Sequence, residues 1–420
     1  MVTYTNQEGR VRRPNDWQDT SCDEIRKFIG AVLLAGVFTS KNEAVMQLWS
    51  KENGRSIFPR IMTRNRFSML TSCFRFDDRE TRLQRRESDK LAPFRDFWNK
   101  FIARCRGNYC PNVHTTVDEM LVTFRGRCPF KMFIPSKPGR YGIKIWVLAD
   151  SDTKYCNNAD IYIGRTGNVR EVNQATRVVL ELSEPLSGSG RNIFGDNFFS
   201  SLHLVRCLEQ RQLTYFGTIR KNKPELPCAF QLTRDREVGS SVFGFHEKVM
   251  AVSYVPKRNK VVNLISSLHL IKEISEDRGK PTMILDYNRL KCGVDTLDQV
   301  VRKYSCKRRT LRWPMALFYN SLDIAAYNSY IVFLHMNPSW NQRKCHRRRL
   351  FLIQLARSLA GIPHEEPDGI LPQLQQLTKS RGRCRLCGWE KDRKASVHCD
   401  SCGHAVCKDH FVKVCAACKR

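Results

Sequence analysis

The sequence predicts a mixed α/β protein with a small C-terminal domain folded around metal. Three observations lead there. Residues 1–110 carry apolar positions at helical spacing, and from about residue 112 strand-like segments alternate with helices. Between Cys384 and Cys418, four pairs of metal-ligand residues are crowded together.

Taken in order, "DTSCDEIRKFIGAVLLAGVF" offers Asp19 and Thr20 as caps, acids in its first turn and an apolar run after Ile25. "SDKLAPFRDFWNKFIARC" takes Ser88 as a cap and puts Leu91, Phe94, Phe97, Trp98, Phe101 and Ile102 on one stripe. Between them, "IFPRIMTRNRFSMLTSCFRF" reads as a short helix with Arg60, Arg64 and Arg66 exposed. "HTTVDEMLVTF" and "YGIKIWVLAD" read as strands, and the turn "SDTK" leads the second into "ADIYIG", a hairpin over 141–164. "RNIFGDNFFSSLHLVRCLEQRQ" gives a strand, Asp196 and a helix entered through Ser200 or Ser201, and "LTYFGTIR" is the next strand. This order implies a sheet with helices packed against it. Residues 221–275 form a β-rich interruption, helices return over 293–303, 312–336 and 343–359, and a linker rich in Pro and Gly spans 361–380. The segments are therefore 1–110, 111–220, 221–275, 276–360, 361–380 and 381–420.

The 71 Lys and Arg against 41 acids give a formal charge of +30, which favours a polyanion such as a nucleic-acid backbone over a small neutral substrate. No membrane partner is expected. The apolar stretch Met315–Met336 holds Asp323 and several Asn and reads as a buried helix. The polar, charged residues 1–20 are not read as a signal peptide. Eleven cysteines scattered from Cys22 to Cys345 read as reduced thiols of an intracellular protein.

Three acids stand where apolar strand or strand-helix sequence would otherwise continue: Asp118 after "TTV", Asp196 after "NIFG" and Asp295 after "KCGV". Carboxylates converging at a sheet edge stay ionised when divalent metal sits among them, and phosphoryl transfer uses such ions. Asp298 shares a helix face with Asp295. Basic residues follow at once, Arg302, Lys303, Lys307, Arg308, Arg309 and Arg312, and "SKPGRYGIK" adds Lys137, Arg140 and Lys144. Phosphate contact is the expected role of these nine, with a nuclear-import signal or a solvated face as alternatives for the run after Asp298. Trp313, before Pro314 at a first helical turn, reads as a hydrophobic anchor.

The C-terminal pairs are Cys384/Cys387, Cys399/Cys402, Cys407/His410 and Cys415/Cys418. Two residues separate the members of each, the spacing of tetrahedral zinc ligands, so eight ligands imply two structural Zn²⁺. Either the first and third pairs share one ion and the second and fourth the other, as in a cross-brace, or the pairs are used sequentially. The segment is too short and polar to fold on apolar burial, so metal supplies most of its folding energy.

The stretches "TVDEMLVTFRGRCPFKMFIPSKPGRYGIKIWVLAD", "GDNFFSS" and "GVDTLDQVVRKYSCKRRTLRWPMALFYN" closely resemble the piggyBac-type transposase family, over nearly the whole chain. The resemblance implies an RNase H-like catalytic domain in two parts, 111–220 and 276–360, around the β-rich insertion, with 1–110 as a helical dimerisation or DNA-binding module. It implies cut-and-paste transposition of double-stranded DNA with TTAA target integration, by a homodimer or higher oligomer in the nucleus. It places Asp118, Asp196 and Asp295 as catalytic ligands of Mg²⁺ or Mn²⁺, with Asp298 as a fourth acid. Asp152, Asp160, Asp286 and Asp323 match no catalytic position and are expected at turns, caps or the surface. Cys292 stands where the family pattern often has a second Gly. In such proteins the cysteine-rich domain, here 381–420, binds the element-end repeats, and Lys391, Arg393 and Lys394 are the contacts expected there. A domesticated, catalytically silent DNA-binding protein is the alternative.

Overall fold

The structure is a computed structural model that describes residues 1–164, 171–231 and 236–363. In the C-terminal part it describes 382–384, 386–387, 394–395, 397–398, 405–412 and 414–415. The chain divides into two units, Met1–Ile362 and Pro363–Arg420. Most of the expected 361–380 linker lies outside the described residues.

The first unit opens with seven helices: α1 (Val2–Arg12), α2 (Cys22–Val37), α3 (Val45–Leu48), α4 (Ile57–Ile61), α5 (Arg64–Cys73), α6 (Arg82–Ser88) and α7 (Arg95–Gly107). Ser21, one residue past the expected caps, closes the start of α2 by accepting from the Glu24 N–H at 3.2 Å. Ser88 ends α6 instead of capping the next helix, and α7 begins only at Arg95, where Asp89 holds the Arg95 guanidinium at 2.8 Å. Arg66, expected exposed, pairs with Glu24 at 2.6 Å and lies over the Trp17 ring, because α2 and α5 face each other there.

A nine-stranded sheet follows: β1 (His114–Thr123), β2 (Met132–Phe133), β3 (Tyr141–Asp150), β4 (Cys156–Ile161), β5 (Asn192–Gly195), β6 (Thr214–Ile219), β7 (Ser241–His246), β8 (Val249–Lys257) and β9 (Lys260–Ser266). Its order is β2-β3-β1-β5-β6-β9-β8-β7, with β4 also beside β3. β5 runs parallel to both β1 and β6, and the other pairs are antiparallel. Two helices, α8 (Gln174–Ser183) and α9 (Leu202–Gln210), supply the connections that parallel strands require. Ser201 caps α9, accepting from the Leu204 N–H at 3.1 Å. The β-rich stretch 221–275 also holds the short α10 (Cys228–Gln231), and β7, β8 and β9 within it continue the central sheet through β9 beside β6. After a two-stranded β10 (Ile274–Ser275) and β11 (Lys280–Pro281) come α11 (Thr282–Leu290), α12 (Gly293–Lys303), α13 (Trp313–Met336) and α14 (Arg347–Ala360).

Alternation along the strands divides the core. Met120, Val122, Ile143, Ile145 and Val147 join α2, α5, α7 and α12–α14 on one face, while Val117, Trp146, Leu148 and Ile193 join α8 and α9 on the other. α13 is a core helix: Phe318 lies 4.9 Å from Phe74 and 5.1 Å from Phe76. No helix of the described residues is long and apolar enough to cross a membrane. A Cβ on Gly30 of α2 would stand 2.6 Å from the Ala356 carbonyl of α14, so glycine is what lets these two helices approach. Asp323 is not at a surface. It is buried on α13 and accepts from the Cys306 N–H at 2.8 Å and the Ser305 hydroxyl at 2.6 Å, pinning the segment after α12. Asp160, within β4, is half-buried, and burial raises its carboxyl above the usual range, with the charge of Glu181 adding to the effect. Trp313 packs edge-on against Phe130 at 5.0 Å, the anchor its sequence position predicts.

Candidate active site

The parallel register of β1 and β5 sets Thr116 opposite Phe194 and Val117 opposite Gly195. The next positions along this register are Asp118 of β1 and Asp196, the residue that follows β5, where strands lie about 4.8 Å apart. Asp118 shares the parity of Met120 and Val122, which places it on the sheet face covered by α12. Asp295 lies in the first turn of that helix. What brings α12 so near is Gly293: a Cβ there would stand 2.4 Å from the Thr116 hydroxyl oxygen and 2.7 Å from its Cβ. Gly293→Ala is expected to lower stability by about 1–3 kcal/mol through overpacking. A urea melt measures it, and an unchanged midpoint would mean that α12 yields freely at this contact.

Burial pushes the Asp118 carboxyl up to about 7, and the like charges of Glu119, Asp196 and Asp295 add to the effect. Burial also raises Asp196, with Glu119 contributing. Glu119 is the acid that sequence reasoning passed over; its place next to Asp118 in the chain was its only signal. Asp298 is half-buried and raised by burial, but it is committed to Arg302 at 2.7 Å, and Arg302 also donates to the Leu121 carbonyl at 3.2 Å. That bridge ties α12 to β1, a positioning role. By type, these carboxylate oxygens suit a hard divalent cation such as Mg²⁺ or Mn²⁺, but in this structure Asp118, Asp196 and Asp295 are not drawn within 4.8 Å of one another.

Of the basic residues expected at phosphates, several face inward. Arg308 is buried and donates to the Ser40 and Glu43 carbonyls; Arg312 donates to the Thr71, Ser72 and Phe74 carbonyls, and burial pushes it down to about 9. Lys307 donates to the Thr123 carbonyl and, at 2.7 Å, to its hydroxyl. Carbonyls of the N-terminal helical region take the two arginines, and the end of β1 takes Lys307, which spacing along the chain could not reveal. Lys137 stands among the acids, 3.6 Å from Glu119 Oε1 and 3.7 Å from Asp295 Oδ1. Lys144 holds its ammonium 3.5 Å from the centre of the Trp146 ring; burial lowers its pKa while Glu119, Asp118 and Asp196 oppose that. Arg140, Lys303 and Arg309 are exposed, as is Arg302 in part.

In the C-terminal unit, Cys384, Cys387, Cys407 and His410 form the one group of three or more His, Cys, Asp or Glu among the described residues whose ligand atoms all lie within 4.8 Å of one another. The Cys387 and Cys407 sulfurs are 3.7 Å apart, and His410 Nδ1 is 3.4 Å from Cys407 and 3.6 Å from Cys384 and Cys387. A tetrahedron with bonds of about 2.3 Å has edges of about 3.8 Å, so three sulfurs and one imidazole at these distances fit a structural metal such as Zn²⁺. Cys399, Cys402, Cys418, Lys391 and Arg393 lie outside the described residues, as do the side chains of Lys394 and Cys415.

Residues 1–330 match the family described as Transposase IS4. The chain is 27% identical over 311 residues to human PiggyBac transposable element-derived protein 3, covering 69% of this chain and 51% of that protein. It is 20% identical over 390 residues to human PiggyBac transposable element-derived protein 2, covering 86% and 62%. The chain thus spans about half to three-fifths of the length of these two relatives. It is also similar to a cryo-EM structure of a piggyBac transposase synaptic complex with hairpin DNA, with 37% identity and a TM-score of 0.82 over 100% of this chain and 94% of that one. On this family match and these likenesses, the chain belongs to the piggyBac-type transposase family, which takes in transposases and their domesticated relatives.

Proposed function

We propose that the chain is a cut-and-paste DNA transposase in which Asp118, Asp196 and Asp295 hold Mg²⁺ or Mn²⁺ at the end of a duplex. One observation carries this reading: Asp118 on β1 and Asp196 directly after β5, the next positions along one parallel register, with a third aspartate presented by a helix that a glycine lets approach. A divalent ion held by these three carboxylates would supply activation of water and stabilisation of the leaving oxygen. Asp118 and Asp196 supply fixed carboxylates from the sheet, and Asp295 supplies one from α12. The Asp298–Arg302 bridge holds α12 on β1. Arg140, Lys303 and Arg309 are exposed and offer charge to phosphates.

Hydrolysis at each element end breaks a P–O3′ bond: water gives its oxygen to phosphorus and a proton to the departing 3′ oxygen. The freed 3′-hydroxyl then attacks a phosphate of the opposing strand or of a TTAA target, so that a new P–O3′ bond forms as the old one breaks and the proton lost by the attacking hydroxyl is matched by one taken up by the departing 3′ oxygen. Cutting two ends together calls for a homodimer or higher assembly, in keeping with the synaptic complex of the solved relative. The substrate is nuclear DNA, so the protein works in the nucleus.

The test is incubation of the zinc-loaded chain with duplexes carrying element-end repeats beside TTAA, with Mg²⁺ or Mn²⁺. Metal-dependent nicks with 3′-hydroxyl ends at the repeat boundary are expected. Sequence-selective binding with no cleavage would instead identify a silent, domesticated DNA-binding protein.

For the C-terminal unit the reading is a cross-brace with two Zn²⁺, one held by Cys384, Cys387, Cys407 and His410 and the other by Cys399, Cys402, Cys415 and Cys418, recognising element ends. Cys384→Ser opens a four-ligand site in a segment with little other core. Metal analysis of that variant should fall from two zinc ions per chain to one or none, with selective end binding lost and the melting of residues 1–362 unchanged. Two ions retained would overturn the ligand set.

A further inference from the structure

Lys137 occupies a place that the proposed chemistry does not explain. Its loop joins β2 to β3 and is drawn tight: the Ile134 N–H donates to the Arg140 carbonyl at 2.7 Å and the Arg140 N–H to the Lys137 carbonyl at 2.9 Å, with Pro135 and Pro138 on either side. From this loop the ammonium reaches in until its side chain is 18% exposed. It donates to the Glu119 carbonyl at 3.3 Å and stands 3.6 Å from the Glu119 carboxylate and 3.7 Å from that of Asp295. One compact positive charge thus bridges an acid of β1 and an acid of α12, at the mouth of a cluster that also holds Asp118 and Asp196.

We infer that Lys137 is a resident cation of this cluster, which must be displaced from Asp295 before divalent metal can load there, and which DNA phosphate draws away. The inference rests on the metal-binding role proposed above for Asp295. An ammonium and a divalent ion repel, so both cannot share one carboxylate at these distances without a large cost. Lysine has a flexible stem and three rotatable donors, so it can leave Asp295 without moving the loop. A phosphate oxygen of a duplex lying over the cluster is the anion that would accept it. The ammonium then serves Asp295 when DNA is absent and the backbone when DNA is present, and metal loading becomes coupled to substrate binding. Coupling of this kind is reciprocal: whatever DNA does for metal affinity, metal does for DNA affinity.

The experiment uses the zinc-loaded full chain. Mn²⁺ binding is followed by calorimetry in wild type, Lys137→Met, Lys137→Arg and Asp118→Ala, all without DNA. Lys137→Met is expected to bind Mn²⁺ about tenfold tighter than wild type, within the usual range of coupling between sites, while Lys137→Arg stays near wild type. In a second arm, duplex affinity is measured with and without Ca²⁺ in the same proteins. The ion should tighten binding several-fold more in wild type than in Lys137→Met. Equal or weaker Mn²⁺ binding by Lys137→Met, where Asp118→Ala has lost it, would overturn the resident-cation role alone. Absence of any Asp118-dependent Mn²⁺ uptake in wild type would overturn the metal site itself and this inference with it.

Discussion

Asp118→Asn, Asp196→Asn and Asp295→Asn are each expected to lower metal-dependent strand cleavage by about a thousandfold or more, since groups that act as one unit lose most of their effect when any member is removed. Duplex affinity should stay within a few-fold of wild type. Each substitution keeps the size of the side chain and removes one negative charge, so the fold is little disturbed. In Asp118, where burial and three neighbouring acids already push the carboxyl up to about 7, loss of that charge relieves repulsion as well as removing a ligand. Asp298→Asn should be milder in cleavage and more costly in stability, because Asp298 holds Arg302 at 2.7 Å and through it the Leu121 carbonyl of β1. Rates of nicking on a labelled end duplex, taken with a thermal melt of each variant, separate the two behaviours. Near-normal nicking by Asp196→Asn would remove that residue from the site.

The order of elements in the first unit was largely legible in the sequence because the chain announces its period. The hairpin over 141–164, the cap at Ser201 and helix α12 over 293–303 all follow from alternation, capping chemistry and the 3.6-residue repeat. The proximity of Asp118 and Asp196 was foreseeable in kind, as acids following apolar strands, but their step-for-step register depends on a parallel pairing that brings together residues 78 positions apart in the chain. Pairings of that length leave no local trace.

The basic residues show the opposite limit. Composition says that the chain is cationic; it does not say which cations face water. Lys307, Arg308 and Arg312 bind carbonyls that are remote in sequence, at Thr123 of β1, Ser40 and Glu43 between α2 and α3, Thr71 and Ser72 in α5, and Phe74 just after it. Helix ends and loops leave carbonyls without helical partners, and a buried seam of them needs donors. Guanidinium, with five donors in a planar fork, suits that task as well as it suits phosphate, so sequence alone cannot separate the two uses.

Arg308→Ala and Arg312→Ala are accordingly expected to act on stability and to leave electrostatic DNA binding alone. Arg308 is 7% exposed, and its loss leaves the Ser40 and Glu43 carbonyls without their charged donor in a place that water reaches poorly. Hydrogen bonds to charged groups contribute about 1.5–3 kcal/mol, and an unsatisfied buried acceptor costs about 1–3 kcal/mol, so a loss of about 3 kcal/mol is expected for either variant. Arg312 should behave alike, since its guanidinium reaches three carbonyls that end α5 and begin the turn after it. The logarithm of duplex affinity against the logarithm of salt concentration should keep its wild-type slope in both, measured well below their melting temperatures. Lys303→Ala with Arg309→Ala makes the contrast: both residues are exposed, and if each lies on a phosphate, removing two neutralised charges flattens the slope by roughly 2 units while the melt stays near wild type. A flattened slope in Arg308→Ala at full folding would return that arginine to the DNA surface and would require the seam at Ser40 and Glu43 to open when a duplex binds.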